Sequence, residues 1–406
     1  MSDATLCNRI RGLRKQKRWT QEELADAAGV SVTTIKKAEN PGSGSVTTGT
    51  LHAIATALEV TTTELYTDRA PDPMLSAEPD HQALARLRAA ISPPVGLTGT
   101  PLTGASDAPV DLARIHTRLA ALTALYDSDQ YDTVAEELPT LVVAAHQAVA
   151  ELDTDDAYRA RALVLRMAGK YCTQIRKIDL ALAALRLCIQ DAVQAGDQAI
   201  ASTAISGQGW ALTRQGRLDE CERLCVTVAD EIEPRSLRKA TAAEVAAWGD
   251  LLFRAAAAAV RDGSHDRAWE LMHTASAAAS ALGKETACWS TFGPMTVALK
   301  SAEFSLLEGR PDRTLRAAER LPDARDVGDV TAVNRYRHRL DVAQSLVMTG
   351  DPDQAARVMS GVKDSAPAWL RRQRSAYETT RSILESRPRR PTEEMVSLAS
   401  HLGVTA

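Results

Sequence analysis

The first 66 residues carry apolar side chains at the spacing of several short amphipathic helices. Thr20 followed by Glu23 is a capping-box sequence that starts one of them, and Gly29 is placed to end it. Ser31 is then a suitable N-cap for the next helix. The pattern therefore predicts five helices around one small core: residues 7–17, a second helix between Thr20 and Gly29, and residues 32–39, 48–58 and 62–66.

From residue 110 onward, helical patterns follow one another, and a short motif recurs between them. It is Gly-x-x-Asp-x followed by a small residue, as in GRLDEC, GSHDRA, GRPDRT and GDPDQA; two earlier copies, DQYDTV and RKIDLA, lack the glycine. A glycine can end one helix, and an aspartate in the first turn of the next favours its positive dipole end. The motif predicts six helical hairpins, whose aspartates lie 40 to 47 residues apart: Asp132, Asp179, Asp219, Asp266, Asp312 and Asp353.

Between these two regions, residues 67–109 are rich in Pro, Gly, Ser and Thr, a composition typical of a linker. A short helix at 79–91, with Leu84, Leu87 and Ile91 on one stripe, is predicted within it. This helix could dock on either domain or on a second chain. The predicted domains are therefore residues 1–66, a linker at 67–109 and a helical array at 110–406.

Composition supports an all-α fold, because the chain is alanine-rich and only 4% aromatic. No apolar run is long enough for a transmembrane helix and no signal peptide is evident, so we expect a cytoplasmic protein with no membrane partner. The six cysteines form no metal-binding pattern, and no metal or cofactor is expected. Cys221 and Cys225 share one helix face, where buried packing is favoured and a redox role is left open.

Basic residues cluster in the first predicted helix, although the whole chain has a net charge of −4. Six lysines and arginines, and no acidic residue, lie between Ala4 and Gln21. Side chains of this cluster, including Arg11 and Arg18, could contact the phosphates of a nucleic acid. In the third predicted helix, Val32, Thr33, Thr34, Lys36 and Lys37 are expected to be free of the core.

The sequences TQEELADAAGVS and TLHAIATALEVTTTELY resemble the XRE or lambda-repressor-type helix-turn-helix family over residues 6–66. The resemblance implies binding to double-stranded operator DNA, with Gln21 anchoring or reading it. It also implies base contacts from Val32, Thr33 and Lys37, and a structural ion pair between Arg14 and Glu39. The sequence departs from the family in lacking Arg, Gln or Asn on the reading face, so direct readout is expected to be weak.

The array resembles tetratricopeptide-like helical repeats, and the combination resembles peptide-sensing bacterial regulators. This resemblance implies a homodimer and a peptide or small-molecule effector in a concave groove. Candidate ligand residues are Asn334, Arg337, His338 and Asp341, which share one helical stripe, with Trp210 and Trp248 as an apolar wall. The alternatives are a solvated outer surface for the stripe and core packing for the tryptophans.

These observations predict a DNA-binding transcription regulator whose array senses a signal. The alternative is a repeat protein that captures a protein partner and binds DNA only secondarily. No HExxH, Walker or GxSxG motif is present, and Gly207 and Gly209 of SGQGW lie inside a predicted helix rather than after a strand. An enzyme is therefore not expected.

Overall fold

A computed structural model of the chain describes residues 3–17, 19–40, 48–58, 60, 65, 78–97, 109–386 and 390–404. Arg18 and most of the predicted fifth helix, 62–66, lie outside the described residues. Across the part that is described, the only strands are two of two residues each, so the all-α prediction is confirmed. None of the described helices is long and apolar enough to cross a membrane.

The N-terminal helices enclose a small apolar core, and their ends follow the local sequence signals. Ile10, Leu24, Ile35 and Ile54 have no exposed surface and form its centre together with Leu65. The predicted capping box is formed, since Glu23 N donates to Thr20 Oγ1 and Thr20 N donates to Glu23 Oε2. The helices are α1 (Asp3–Gln16), α2 (Gln21–Ala28), α3 (Val32–Glu39) and α4 (Thr48–Ala57).

The remaining described helices begin with α5, which is the helix predicted at 79–91. Its Leu87 and Ile91 are buried against the array, and Ala90 O accepts a hydrogen bond from His146 Nε2 at 3.1 Å. This helix therefore docks on the array that follows it. The helices of this region are α5 (Glu78–Ile91), α6 (Leu112–Asp127), α7 (Tyr131–Leu152), α8 (Asp155–Gln174), α9 (Ile178–Gln194), α10 (Gln198–Gln215), α11 (Leu218–Ile232), α12 (Ala242–Arg261), α13 (His265–Leu282), α14 (Pro294–Leu307), α15 (Pro311–Glu319), α16 (Ala324–Val327), α17 (Ala332–Met348), α18 (Pro352–Ser365), α19 (Pro367–Arg371), α20 (Arg374–Glu385) and α21 (Glu393–Leu402).

Six antiparallel pairs form the predicted hairpins: α6 with α7, α8 with α9, α10 with α11, α12 with α13, α14 with α15, and α17 with α18. Each of the six predicted aspartates lies in the first turn of a pair's second helix. The turns before them need a positive φ. Gly216, Gly263, Gly309 and Gly350 supply it, and Asp129 and Arg176 adopt it at 67° and 62° in the two copies without glycine.

Helices near the C-terminal end of the chain contact the first hairpin of the array. Asp129, in the α6–α7 turn, accepts a hydrogen bond from the backbone N–H of Ala368 in α19 at 2.7 Å. The Arg372 guanidinium lies 5.1 Å from the centre of the Tyr131 ring in α7. Trp369 is buried at this seam. The last helices thus contact the beginning of the array, a closure that the sequence did not indicate. The tetratricopeptide-like superhelix with its concave groove stays a prediction.

Candidate nucleic-acid interface and interior pocket

Helix α3 presents a polar face without a carboxylate. Its N-cap is Ser31, whose Oγ accepts from Thr34 N at 3.1 Å and contacts Thr34 Oγ1 at 2.8 Å. The Thr34 hydroxyl is therefore engaged locally. Lys36 and Lys37 are exposed, as is Thr33. These three side chains are available for contacts with DNA.

Val32 differs from the expectation that it would be free of the core. It is half-buried and packs against the apolar cluster of the domain. The cause is its position at the first turn of α3, directly after the turn that brings α2 and α3 together. Its contribution to a base contact is limited to the exposed part of its two methyl groups.

Glu39, the last residue of α3, joins three elements of the domain. Arg14 donates to its two carboxylate oxygens at 2.6 and 2.9 Å, and Gln21 Nε2 donates to Oε2 at 2.8 Å. Burial raises the pKa of Glu39, but the hydrogen bonds from Arg14 and Gln21 outweigh it and hold that pKa below its usual range. The structure thus contains the ion pair that the family resemblance implied, and it places the amide of Gln21 on this carboxylate.

Arg11 also contacts the end of α3. Its guanidinium donates to the backbone carbonyl of Glu39 at 2.6 Å and to Asn40 Oδ1 at 3.2 Å. Its side chain remains 38% exposed, so part of it can still approach a phosphate. The other phosphate candidate, Arg18, lies outside the described residues.

The array holds a pocket at the centre of its six hairpins. Its cavity volume is about 40 Å³, room for a few water molecules. The first helix of each hairpin contributes to the wall, so residues from six separate sequence regions meet there. The lining residues are Tyr126, Asp127, Lys170, Trp210, Asp250, Phe253, Arg254, Trp289, Ser290, Thr291, Thr296, Lys300, Thr331, Val333, Asn334 and Arg337.

Two cations of the wall have carboxylate partners. Arg254 lies 4.0 Å from Asp250, which also accepts from the Ser206 hydroxyl at 2.6 Å. Lys300 Nζ lies 2.8 Å from Glu303, and Arg261 pairs with the same carboxylate. Because each of these cations has a carboxylate nearby, with Glu303 shared by two of them, the pairs stabilise the helix packing and leave one positive charge in excess.

Lys170 and Arg337 have no direct hydrogen bond or ion pair within the described ranges. Lys170 Nζ lies 4.9 Å from the centre of the Tyr126 ring, and Arg337 lies 5.1 Å from that of Trp210. Arg214 stacks on the same indole at 5.1 Å. Burial lowers the pKa of Lys170 and of Arg337, and it lowers that of Arg214 to about 9. The lining carries four cations, Lys170, Arg254, Lys300 and Arg337, against two carboxylates, Asp127 and Asp250, so its formal charge is positive.

A small β-hairpin places a second tryptophan in the wall. Strand β1 (Thr286–Ala287) pairs antiparallel with β2 (Thr291–Phe292), and Trp289 lies in the turn between them. Its ring is 6.2 Å from that of Trp210, edge to face. Gly207 allows this approach, because a Cβ there would lie 2.4 Å from the Trp289 ring. Gly207, the first glycine of SGQGW, thus provides space for the Trp289 ring.

The sequence-based ligand candidates divide between the wall and the layer behind it. Asn334, Arg337 and Trp210 line the pocket, whereas His338 is buried and Asp341 half-buried outside the lining. A solvated outer surface for this stripe is wrong, since Asn334 and His338 are only 8% and 7% exposed. The cause is the packing of α17 against α14 and the turn of the β-hairpin, since Asn334 contacts Ser290 and the charge of Lys300 acts on His338.

Trp248 does not line the pocket. It packs in a separate hydrophobic cluster around α12, so the core alternative is correct for this residue. Cys221 and Cys225 are fully buried in the same cluster, as expected from their spacing. Their redox role stays untested.

Three cations of the wall, Lys170, Arg254 and Lys300, were missed by the sequence analysis, although they share a repeat register with Trp210 and Arg337, which it named. Lys170 and Trp210 each lie six residues before the positive-φ residue of their hairpin, at 176 and 216. Arg254 and Lys300 each lie nine residues before theirs, at 263 and 309, and Arg337 lies thirteen before 350. Residues six, nine and thirteen positions before the turn lie on the same face of a helix. Aligning the repeats on their turns would have grouped these cations.

The fold and exposed face of the first domain define a helix-turn-helix DNA-binding module. Residues 10–65 match the helix-turn-helix family, which supports a DNA-binding transcription regulator. Neither a curated protein nor a solved structure matches the chain.

Proposed function

We propose that this protein is a transcription regulator that binds operator DNA through α3 and senses a signal in the interior pocket of the array. The observation that carries the DNA-binding part is the exposed face of Thr33, Lys36 and Lys37, which has no carboxylate, on a domain that matches the helix-turn-helix family. The pocket supports the sensing part of the proposal, because all six hairpins contribute to its wall. A ligand bound there would contact helices throughout the array. Catalysis forms no part of this proposal.

The DNA contact in this proposal relies on phosphates and DNA shape more than on base edges. Lysines are point charges for phosphates, and threonine offers one hydroxyl and one methyl group. Such a surface gains specificity when two copies bind together. We therefore propose a homodimer that contacts half-sites about 34 Å apart.

A contact between the head and the array offers a route for control. His52 Nε2 in α4 lies 3.7 Å from Asp262 Oδ1, at the C-terminal end of α12. The same helix supplies Asp250 and Arg254 to the pocket wall. A ligand that shifts α12 would alter this contact and so change the population of head positions competent for DNA.

The DNA-binding proposal is tested by fluorescence anisotropy with genomic fragments over a series of salt concentrations. We expect Lys37→Ala to weaken binding and to reduce the slope of log affinity against log salt by roughly 1, since one phosphate contact is lost. Lys239→Ala, which removes an equal charge from an exposed loop of the array, is the matched control. Equal behaviour of the two variants, or no fragment bound above the non-specific level, would refute the proposal and favour the protein-partner alternative.

A further inference from the structure

The pocket at the centre of the array is a small space among charged and polar groups. Its cavity volume of about 40 Å³ holds roughly three water molecules, since one water needs about 10 to 15 Å³. The four cations of the lining exceed its two carboxylates, which leaves two positive charges. A compact anion is therefore the kind of ligand that fits both the size and the charge of this space.

Two cations of the lining have no carboxylate partner. Lys300 Nζ, in the same wall, lies 2.8 Å from Glu303. Lys170 and Arg337, in contrast, make no hydrogen bond or ion pair among the described residues, and each has its pKa lowered by burial. Burying a charge is costly unless it is paired. An anion in the cavity would supply the missing partner.

Aromatic rings hold these two cations in place. The Arg337 guanidinium lies 5.1 Å from the centre of the Trp210 ring, and Lys170 Nζ lies 4.9 Å from that of Tyr126. The charge of Arg337 acts on the pKa of both Lys170 and Tyr126, so the two cations share one neighbourhood. A guanidinium over an aromatic ring keeps its N–H groups for other acceptors, and its planar fork matches two oxygens of an oxyanion.

The wall also offers one neutral donor and one acceptor. Asn334 Nδ2 donates to the Ser290 hydroxyl at 3.4 Å, a contact that uses one of its two N–H groups. One carboxylate oxygen of Asp250 accepts from the Ser206 hydroxyl at 2.6 Å, and the other lies 4.0 Å from Arg254. A carboxylate repels an anion without a proton, but it accepts a hydrogen bond from an anion that keeps one. Hydrogen phosphate keeps a proton at neutral pH, whereas sulfate and chloride have none.

We propose that the pocket binds inorganic phosphate as its hydrogen phosphate dianion, with its oxygens on Lys170 and Arg337 and its hydroxyl donating to Asp250. This inference rests on the proposed sensing function and gives its ligand a chemical class. The charge of the dianion equals the positive excess of the lining. All oxygens of a tetrahedral oxyanion lie one bond length from the central atom, so it fits a space for roughly three waters.

Equilibrium dialysis of the full-length protein with radiolabelled inorganic phosphate, at constant ionic strength, tests the ligand class. We expect saturable binding of one phosphate per chain. Unlabelled phosphate should displace the label at least about tenfold better than sulfate, since only phosphate donates to the carboxylate. Chloride should compete weakly, and so should glycerol 3-phosphate, which exceeds the cavity.

Three outcomes of the dialysis would overturn the proposal. Without saturable uptake up to millimolar phosphate, the cavity holds water only. Equal displacement by sulfate would remove the role of the phosphate proton. Stronger displacement by glycerol 3-phosphate would assign the site to the phosphoryl group of a larger ligand.

Arg337→Gln separates ligand binding from a structural role. We expect it to weaken phosphate binding at least about tenfold, because charge-assisted hydrogen bonds are lost. The rise in melting temperature that phosphate gives beyond an equal concentration of sulfate should disappear in this variant, whereas a purely structural residue would leave that rise intact. Lys170→Gln should act in the same way and serves if Arg337→Gln does not fold. Arg339→Gln, on the exposed side of α17, is the control and should keep the wild-type affinity.

Asp250→Asn tests the acceptor. The amide can donate to an anion without a proton, so we expect phosphate to bind more weakly and sulfate more tightly. The ratio of the two affinities is measured within one sample, and it does not depend on the stability of the variant. A ratio equal to that of the wild type would overturn the part assigned to Asp250.

The DNA titrations, with phosphate and sulfate compared at equal ionic strength, distinguish failure of this inference from failure of the proposed function. If phosphate does not bind but Lys37→Ala still weakens DNA binding, the ligand class is wrong and the DNA-binding part stands. If phosphate binds and leaves the DNA affinity unchanged, the pocket is a phosphate site and its control of the head is wrong.

Discussion

Glu39 has no exposed surface, yet its pKa is held below the usual range, because Arg14 and Gln21 both donate to its carboxylate. The family resemblance implied the partner Arg14, but nothing in the sequence indicated Gln21 or the Arg11 contact to the carbonyl of Glu39. Such contacts depend on the distance between α1, α2 and α3, which sequence spacing does not specify. One residue therefore links all three helices that position the DNA-binding face.

Glu39→Ala should destabilise the N-terminal domain by roughly 3 to 5 kcal/mol, because it leaves the Arg14 guanidinium without its buried partner. Hydrogen–deuterium exchange of the full chain, followed on peptides from residues 20–40, measures this loss locally. Glu22→Ala removes an exposed carboxylate from α2 and is the matched control. Equal protection in the two variants would contradict the structural role of Glu39.

His338 makes the stability of the array depend on pH. Burial, followed by the charge of Lys300, lowers its pKa to about 4, against an ordinary value of about 6.5. The unfolded chain therefore binds the proton more readily, so the stability contribution is complete above pH 6.5 and is lost as the pH falls towards 4. At pH 5 the loss from this one histidine is about 2 kcal/mol.

The measurement is urea unfolding of the wild type and His338→Gln at pH 8 and pH 5. Since glutamine does not titrate, the variant should lose less stability than the wild type between these two values. His116→Gln, at an exposed position of α6, should leave the pH dependence unchanged. Burial and the charge of Arg161 also lower the pKa of His146 to about 4. Its contribution to the pH dependence of stability is the same in both variants.

At the scale of the element, the turn motif predicted the hairpins because its signals are local. A residue with positive φ ends one helix and an aspartate lies in the first turn of the next, and both depend on neighbours within a few positions. The sequence did not show that Asp129 and Arg176 would adopt the positive φ that glycine supplies in the other four turns. The Asp129 side chain also accepts a hydrogen bond from the N–H of Ala368, 239 residues away, and local patterns do not indicate such a contact.

Two glycine variants separate backbone strain from packing. A Cβ at Gly350 would meet no atom within 4 Å, but its φ of 89° is unfavourable for any side chain. Gly361 also has room, with its nearest neighbour at 3.9 Å, and lies inside α18. We expect Gly350→Ala to destabilise by about 1 kcal/mol or more, and Gly361→Ala to stabilise by about 0.5 to 1 kcal/mol. Urea unfolding measures the change in the free energy of unfolding for both variants. If both substitutions destabilised the protein, this account would be contradicted.

For the whole molecule, the sequence predicted the helical class and the order of the parts, but not the pocket. Its wall collects residues from Tyr126 to Arg337, and their shared face becomes visible only when the repeats are aligned on their turns. Closure of the array was beyond local pattern analysis, because it depends on α19 meeting the α6–α7 turn. The solvated alternative for the α17 stripe was wrong because α17 packs against α14, a contact between distant parts of the sequence.

The seam between α19 and the first hairpin also bears on how this molecule can evolve. An open array can gain or lose a hairpin at either end, and each remaining unit keeps its neighbours. Here, an added or deleted hairpin would move Ala368 away from Asp129 and Arg372 away from Tyr131. Six hairpins are thus a fixed number for this architecture, and changes to the pocket must arise by substitution of wall residues rather than by duplication of repeats.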